Sequence, residues 1–421
     1  MRKLDLALLR ELVDHAGVAI RVRQRLQPAG GQGDKVFPPT YATGDRALRY
    51  AMETRRVDGQ EVKTVLLDSV ASQANRMEEA LLAAWEATQI TFPVVGVDFA
   101  VDDALADVGT ITALQAPHRL ADAILRDAVS LDGKLLFRDL PEGRAYTDAS
   151  IRNATAVYCL CPTALIFGVW DSTGPKGGLG AKFARALTSE VVGVHAVHGV
   201  KVSSRLDPLG IQRHVDVFHD KANPHDWTIE PENAKAEKGK PVPFSRKGSE
   251  GKGKPSSVNH SNIPPNIDEF SGGVTFDHAL QTVVLSLPAL RKLRFATGLD
   301  GSPLAHRAEA ERAARVALAA LAVAAIVHGR DRGYDLRSRC LLIPDGPLSL
   351  ELVRPDGSVE AVSLTTEEAN ALVAGAAARA AEAGLAWQRE PLKLRAAPKL
   401  VALVKKSRDP DVVAAAGDGD Q

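Results

Sequence analysis

The sequence predicts an α+β fold, and three features predict it. "GVAIRVRQRLQP" (Gly17–Pro28) alternates apolar and basic residues with period two, as a half-buried strand with one basic face does. "VALAALAVAAIV" (Val316–Val327) is an apolar run of small residues inside a longer helical pattern, which reads as a buried helix. Strand and helix signals then follow each other irregularly, with no internal repeat and no regular βαβ series. A chain of 421 residues is long enough for a sizeable core.

In chain order, residues 1–16 form an amphipathic helix and Val18, Ile20 and Val22 oppose Arg21, Arg23 and Arg25 in the first strand. A Gly/Pro loop, "AGGQGDKVFPPTYATG", carries Lys35. "LLDSVASQANRMEEALLAAWEAT" (Leu66–Thr88) starts a helix that Asp68, Ser69 or Ser72 caps, with Met77, Leu81, Ala84 and Trp85 on its apolar stripe. "PHRLADAILRDAV" (Pro117–Val129) reads as a second helix, with Leu120, Ile124 and Leu125 inward and Arg119 and Arg126 outward. "ATAVYCLCPTALIFGVWDS" reads as one or two buried strands, followed by a glycine-rich loop and a short helix, "AKFARAL". "SEVVGVHAVHGVKVSSRLDP" reads as strand, glycine break, strand.

Residues 221–269 change character. From Glu230 to Pro255 there are seven basic and four acidic residues, and the stretch is too polar to order itself around a core. Regular structure resumes at Gly272–Phe295 with a strand and a basic turn. A long Ala-rich helix over 305–329, two strands with a "PDG" hairpin turn, and a helix near 366–384 complete the pattern.

Composition narrows the function classes. Lys+Arg and Asp+Glu both number 52, so any nucleic-acid footprint must be local rather than global. Three cysteines, Cys159, Cys161 and Cys340, give neither a disulfide framework nor a zinc spacing and read as buried hydrophobes. The N-terminus has no uninterrupted apolar region, and the 12-residue apolar run is too short to span a bilayer. A cytoplasmic protein without a membrane partner is expected.

The motif that asks for a ligand is "VWDSTGPKGGLGAKFAR" (Val169–Arg185). It is not a P-loop: Lys182 does not directly follow Gly180, and the hydroxyl that would meet magnesium is missing. The glycine spacing also fails the dinucleotide fingerprint. The physical device remains: glycines let backbone N–H groups approach an anion, a helix start adds partial positive charge, and Lys176, Lys182 and Arg185 add full charges. A plain turn with solvated lysines fits the stretch as well. The histidines between His195 and His225 show no metal-ligand spacing, and no cofactor or metal is expected.

Other basic and amide residues sit at loops and helix starts. "SQANR" places Gln73, Asn75 and Arg76 on a first helical turn, where they could equally be capping residues. "KVSSRLDP" places Lys201, Ser203 and Arg205 along a strand end. "KPSSVNHSNIPP" offers Lys254, Asn259, His260 and Asn262. These types donate to phosphate oxygens and 2′-hydroxyls. Aromatics are only 5% of the chain, which favours grip on a backbone over stacking on bases.

Six stretches in order carry a family resemblance: "LLDSVASQANRMEEAL", "HRLADAILRDA", "FGVWDSTGPKGGLGAKFARALTSEVVG", "KPSSVNHSNIPPN", "GGVTFDHALQTVVLSLPALRKLRF" and "GYDLRSRCLLIPDG". Over roughly residues 15–350 the chain resembles the CRISPR-associated backbone subunit of the type I-G (formerly I-U) Cascade complex, a member of the repeat-associated RNA-binding superfamily. The resemblance implies a modified RNA-recognition-motif (ferredoxin-like) palm with helical insertions and a thumb-like hairpin or loop. It implies residues 1–405 as one RNA-binding palm domain with insertions and residues 229–268 as a flexible thumb or finger. Residues 406–421 read as a disordered tail.

The implied function is non-catalytic. Copies of the chain polymerise along a CRISPR guide RNA, hold its backbone, and leave the spacer free to pair with target DNA. Implied partners are other copies, the large and guide-processing Cascade subunits, and a recruited helicase–nuclease. The alternative on the same fold is a metal-dependent ribonuclease. A subunit that stacks on itself also accounts for zero net charge, with "VDDALAD" (Val101–Asp107) and "PDGSVE" offsetting the basic face. The candidate RNA-binding residues are Arg25, Lys35, Gln73, Asn75, Arg76, Lys176, Gly177, Gly178, Lys182, Arg185, Lys201, Ser203, Arg205, Lys254, Asn259, His260 and Asn262. No catalytic or metal-binding residue is expected.

Overall fold

A computed structural model describes residues 2–57, 59–174, 176–177, 180–223, 225–245, 252–409 and 412. The chain divides into two compact units, residues 1–197 with 274–401, and residues 198–273 with 402–421. The fold is mixed α and β, as the sequence predicts.

The larger unit is organised by one sheet. Its first long strand, β1 (Ala19–Pro28), buries Ile20, Val22, Gln24 and Leu26 and exposes Arg23 and Arg25. That is the period-two pattern of a strand with one face on a core. A hairpin, β2 (Met52–Val57) and β3 (Gln60–Asp68), leads into helix α1 (Val70–Glu86). Strands β4 (Leu187–Val194) and β5 (His278–Ser286) come next, then helix α2 (Arg307–Asp331). Strands β6 (Tyr334–Arg337), β7 (Cys340–Pro344), β8 (Leu350–Val353) and β9 (Val359–Ser363) precede helix α3 (Thr366–Glu382).

The pairing order is β9–β8–β1–β5–β4–β3–β2, with β7 also on β1 and β6 on β7. Each of these pairings is antiparallel, with Val22 opposite Val283 and Arg25 opposite Leu280 at the centre. Gln73 of α1 reaches Ser189 of β4 and Gln281 of β5, which places α1 on the face carrying those residues. Helix α2 packs on α1. Its small side chains permit burial on every side from Ala314 to His328, so the Ala-rich run is the core helix that the sequence predicts. Helix α3 starts at a capping box, in which the Thr365 hydroxyl accepts from the Glu368 N–H and Glu368 accepts from the Thr365 N–H. A second sheet of four short strands contains Val95–Asp98 and Leu392–Ala396 in parallel.

Four local expectations are corrected. Residues 154–167 form two buried helices, Thr155–Leu160 and Thr163–Phe167, not strands. The stretch after the glycine loop is not a helix: Lys182–Phe183 pairs antiparallel with Val169–Trp170. Residues 117–129 are broken into a 3-10 turn, a four-residue helix and a short strand. Arg119 consequently sits at φ +52° and is buried, not outward. The N-terminal segment forms a short strand, Arg2–Lys3, before a helix from Leu6.

In the unit built on residues 198–273 the sequence predicts a strand through Lys201–Arg205 and no order over 221–269, and over that second stretch the structure differs. Three short ladders are present: Lys201–Arg205 with Ile263–Asp268, Phe218–His219 with Trp227–Thr228, and Ala236–Glu237 with Lys240–Pro241. Val217, Ala234 and Phe244 are buried. The last ladder turns through Lys238 and Gly239, both at positive φ (51° and 75°), the primed turn that matches strand twist. Backbone pairing and turn chemistry supply the order that a large core does not. Among the described residues, no helix is long and apolar enough to cross a membrane.

Candidate functional site: a basic cleft beside the glycine loop

The two basic motifs of the larger unit meet different fates. In "SQANR", Asp68 at the end of β3 is fully buried and collects Ser72, Gln73 and Arg76. Its carboxylate accepts from Ser72 Oγ at 2.7 Å, Gln73 Nε2 at 2.7 Å, Arg76 Nε at 3.0 Å and an Arg337 guanidinium nitrogen at 3.2 Å. The Gln73 carbonyl oxygen accepts in turn from Ser189 Oγ and Gln281 Nε2. Arg76 also donates to the Leu336 and Asp335 carbonyls. Gln73 is therefore a structural link between α1 and the sheet, and almost fully buried. Asn75 is exposed on the helix.

The glycine loop is different. Val169–Trp170 and Lys182–Phe183 form a two-stranded ribbon. Val169 and Phe183 oppose each other and are buried, so Trp170 and Lys182 oppose each other on the outer side. Lys182 Nζ lies 4.5 Å from the centre of the Trp170 ring, and Trp170 is 53% exposed. A cleft of ≈ 1060 Å³ opens beside this ribbon. Lys182 and Arg185 line it together with Arg152, His118 and Ser150, and none of the described residues lining it is acidic.

A buried ion pair holds the cleft floor. Arg119 donates to the Glu78 carboxylate at 2.7 and 2.5 Å and to the Gly168 carbonyl at 2.9 Å. Its guanidinium lies 5.5 Å from the Phe167 ring centre. Burial pushes the Glu78 carboxyl up to about 7, against the pull of the Arg119 guanidinium. The left-handed backbone at Arg119 is disfavoured for a bulky residue and persists because these contacts fix it.

Gly168 and Gly180 are held close to the chain around the loop, whereas the space around Gly177 is open. Gly168 is at φ +86°, and a Cβ there would meet Arg185 Cγ at 2.9 Å. A Cβ on Gly180 would meet the Asp171 carbonyl oxygen at 2.3 Å. With no helix after the loop, the helix-terminus contribution predicted from sequence is absent, and the positive charge of the site comes from side chains.

The other candidates lie elsewhere. Lys176 pairs with Asp148 at 2.5 Å, Gly177 is inside the loop turn, and Gly178 lies outside the described residues. Arg25 is exposed on the sheet and Lys35 is half-buried in the loop after β1. In the smaller unit, Arg205 donates to the carbonyls of Ser261 and His260, and Asn262 accepts from the Asp207 N–H at 2.7 Å. Asn259 takes the left-handed conformation that ends a 3-10 turn, and Lys254 pairs with Asp216 at 2.6 Å. Lys201 and Ser203 are exposed on the ladder. The cleft thus unites Lys182 and Arg185. Sequence reasoning missed Arg152, His118 and Trp170, of which Trp170 had a signal in its position beside the loop. Among the described residues, no group of three His, Cys, Asp or Glu side chains is placed to hold a metal ion.

Residues 20–198 match the model of a CRISPR-associated protein family, described as CRISPR-associated protein GSU0053. The match is to under half of the chain. It runs from β1 through β4 and takes in Asp68 with Ser72, Gln73 and Arg76, the buried Glu78–Arg119 pair and the whole cleft. No curated protein matches the chain.

Proposed function

We propose that this chain is a non-catalytic, guide-RNA-binding backbone subunit of a type I-G Cascade complex. The observation that carries the reading is the cleft: Lys182, Arg185 and Arg152 converge there, no acidic residue lines it among those described, and it lies inside the CRISPR-associated match. Neither Lys182 nor Arg185 makes an ion pair among the described residues, although Arg185 Nε donates to the Phe167 carbonyl at 3.2 Å, and such cations can turn to phosphate oxygens; Arg76 and Arg337 are already paired with Asp68.

The strand order favours a ferredoxin-like palm. Taking β1, β4, β5 and β7/β8 as strands one to four, the sheet runs four-one-three-two and is antiparallel, with α1 between the first and second and α2 between the third and fourth. The β2–β3 hairpin is then an insertion before α1. The ladder of Lys201–Arg205 with Ile263–Asp268 is the candidate thumb. On this reading copies of the chain line up on one guide RNA in the cytoplasm, beside the large and guide-processing subunits. The assembly presents the spacer to target DNA and is recognised by a helicase–nuclease.

The test is co-purification. The chain is expressed with a CRISPR array and its neighbouring genes, isolated, weighed, and its RNA sequenced. A large particle carrying intact spacer RNA of uniform length is expected. A nucleic-acid-free monomer would overturn the reading, and guide cleavage that stops with EDTA would replace its non-catalytic part.

A further inference from the structure

We propose that Trp170 is a stacking platform for one unpaired nucleobase, with Lys182 and Arg185 holding the phosphates on either side of it. The inference rests on the RNA-binding reading and assigns the cleft a ligand of defined chemistry: a single-stranded nucleotide segment, held by base as well as backbone.

Indole is among the largest apolar side chains, and Trp170 is 53% exposed. It is not on a loose loop. The ribbon fixes it: Trp170 opposes Lys182 in register, Asp171 N–H donates to the Ala181 carbonyl at 2.9 Å, and the inward partners Val169 and Phe183 are buried. The buried Arg119 guanidinium clamps the preceding Gly168 carbonyl. The ring is therefore held in place before any ligand arrives, which lowers the ordering cost of binding.

In the free protein the Lys182 ammonium covers the ring at 4.5 Å. This cation–π contact is weak at an exposed site and easily exchanged for a base on the same face. The displaced ammonium then has a phosphate oxygen as its nearest strong partner, since the cleft lining offers it no carboxylate among the described residues. Arg185 and Arg152 extend the positive surface to neighbouring phosphates. A duplex does not suit this arrangement, because its bases are already stacked and paired.

The experiment measures the affinity of the full chain for a fluorescein-labelled uridine 12-mer and for the same oligomer with abasic positions. Trp170→Ala is expected to weaken binding of the intact oligomer by roughly 5- to 150-fold, the range for loss of one base–aromatic stack. It should leave the salt dependence unchanged, because no phosphate contact is lost. Trp170→Phe should recover most of the affinity. Wild type should bind the abasic oligomer no better than Trp170→Ala binds it. Equal affinity of wild type and Trp170→Ala for the intact oligomer overturns the platform and leaves RNA binding standing. A loss of the same size on the abasic oligomer also overturns it, by assigning Trp170 a purely structural role. If wild type binds neither oligomer, alone or with its Cascade partners, the RNA-binding reading fails, and this inference fails with it.

Discussion

Two basic motifs in the larger unit have similar residue types and opposite roles. Arg76 and Gln73 are tied to Asp68, while Lys182 and Arg185 stand in a cleft with no acidic residue in its lining among those described. What separates them is the position of one buried carboxylate. A donor-rich segment binds outward only when the fold has not already given its donors an acceptor, because a buried carboxylate left unpaired costs far more than an exposed cation gains.

Removing that carboxylate is the strongest way to break the contrast. Asp68→Ala strands Arg76, Arg337, Ser72 and Gln73 together and should cost about 3–5 kcal/mol of stability, read from denaturant unfolding. A cost below about 1 kcal/mol would mean the network is not structural.

The Glu78–Arg119 pair sharpens the comparison from the cleft side. The folded state raises the Glu78 carboxyl from an ordinary 4.5 to about 7, so between those values the folded chain binds more protons than the unfolded one. Its contribution to stability is fully present below the unfolded value and is lost as pH rises through about 7. Arg119 and Arg185 are the charges that oppose this shift. Thermal or denaturant unfolding across pH 5–8 should therefore show a slope that Glu78→Gln flattens. An unchanged slope in that variant would assign it to other groups.

Two neighbours on one helical turn give a finer contrast. Gln73→Ala leaves Ser189, Gln281 and Asp68 short of partners and should cost about 1–3 kcal/mol. Asn75→Ala, on the exposed side, should stay within about 0.5 kcal/mol. Similar values for both would contradict the buried placement of Gln73.

Much of the frame was legible because the responsible forces are local. Period-two alternation marks β1, where one face is buried and the other basic. Ser69 caps α1 by accepting from the Ser72 N–H at 3.2 Å, within the set of capping residues the sequence offers. Residues 155–167 are an apolar run buried on all sides, which carries no period, so strand and helix look alike in the sequence. A helical wheel presumes an unbroken helix and so turns Arg119 outward, but the helix is broken there. The break turns the side chain toward Glu78, 41 residues away in sequence, a partner that only tertiary structure reveals.

The site was half legible for the same reason. Lys182 and Arg185 lie in a motif that attracts notice by composition. Arg152 and His118 enter the cleft from separate segments and carry no local signal. The pull of Asp68 on its motif could have been foreseen from spacing, since Ser72 and Arg76 follow it at four and eight residues, on one side of the helix start.

The most direct test of the central claim is the salt dependence of single-stranded RNA binding for wild type and for Lys182→Ala with Arg185→Ala. The cleft predicts weaker binding by the double variant at low salt. It also predicts a log–log salt slope shallower by about 1.4, two phosphate contacts at about 0.7 each on a single strand. An unchanged affinity and slope would contradict it and move the RNA-binding surface away from the glycine loop.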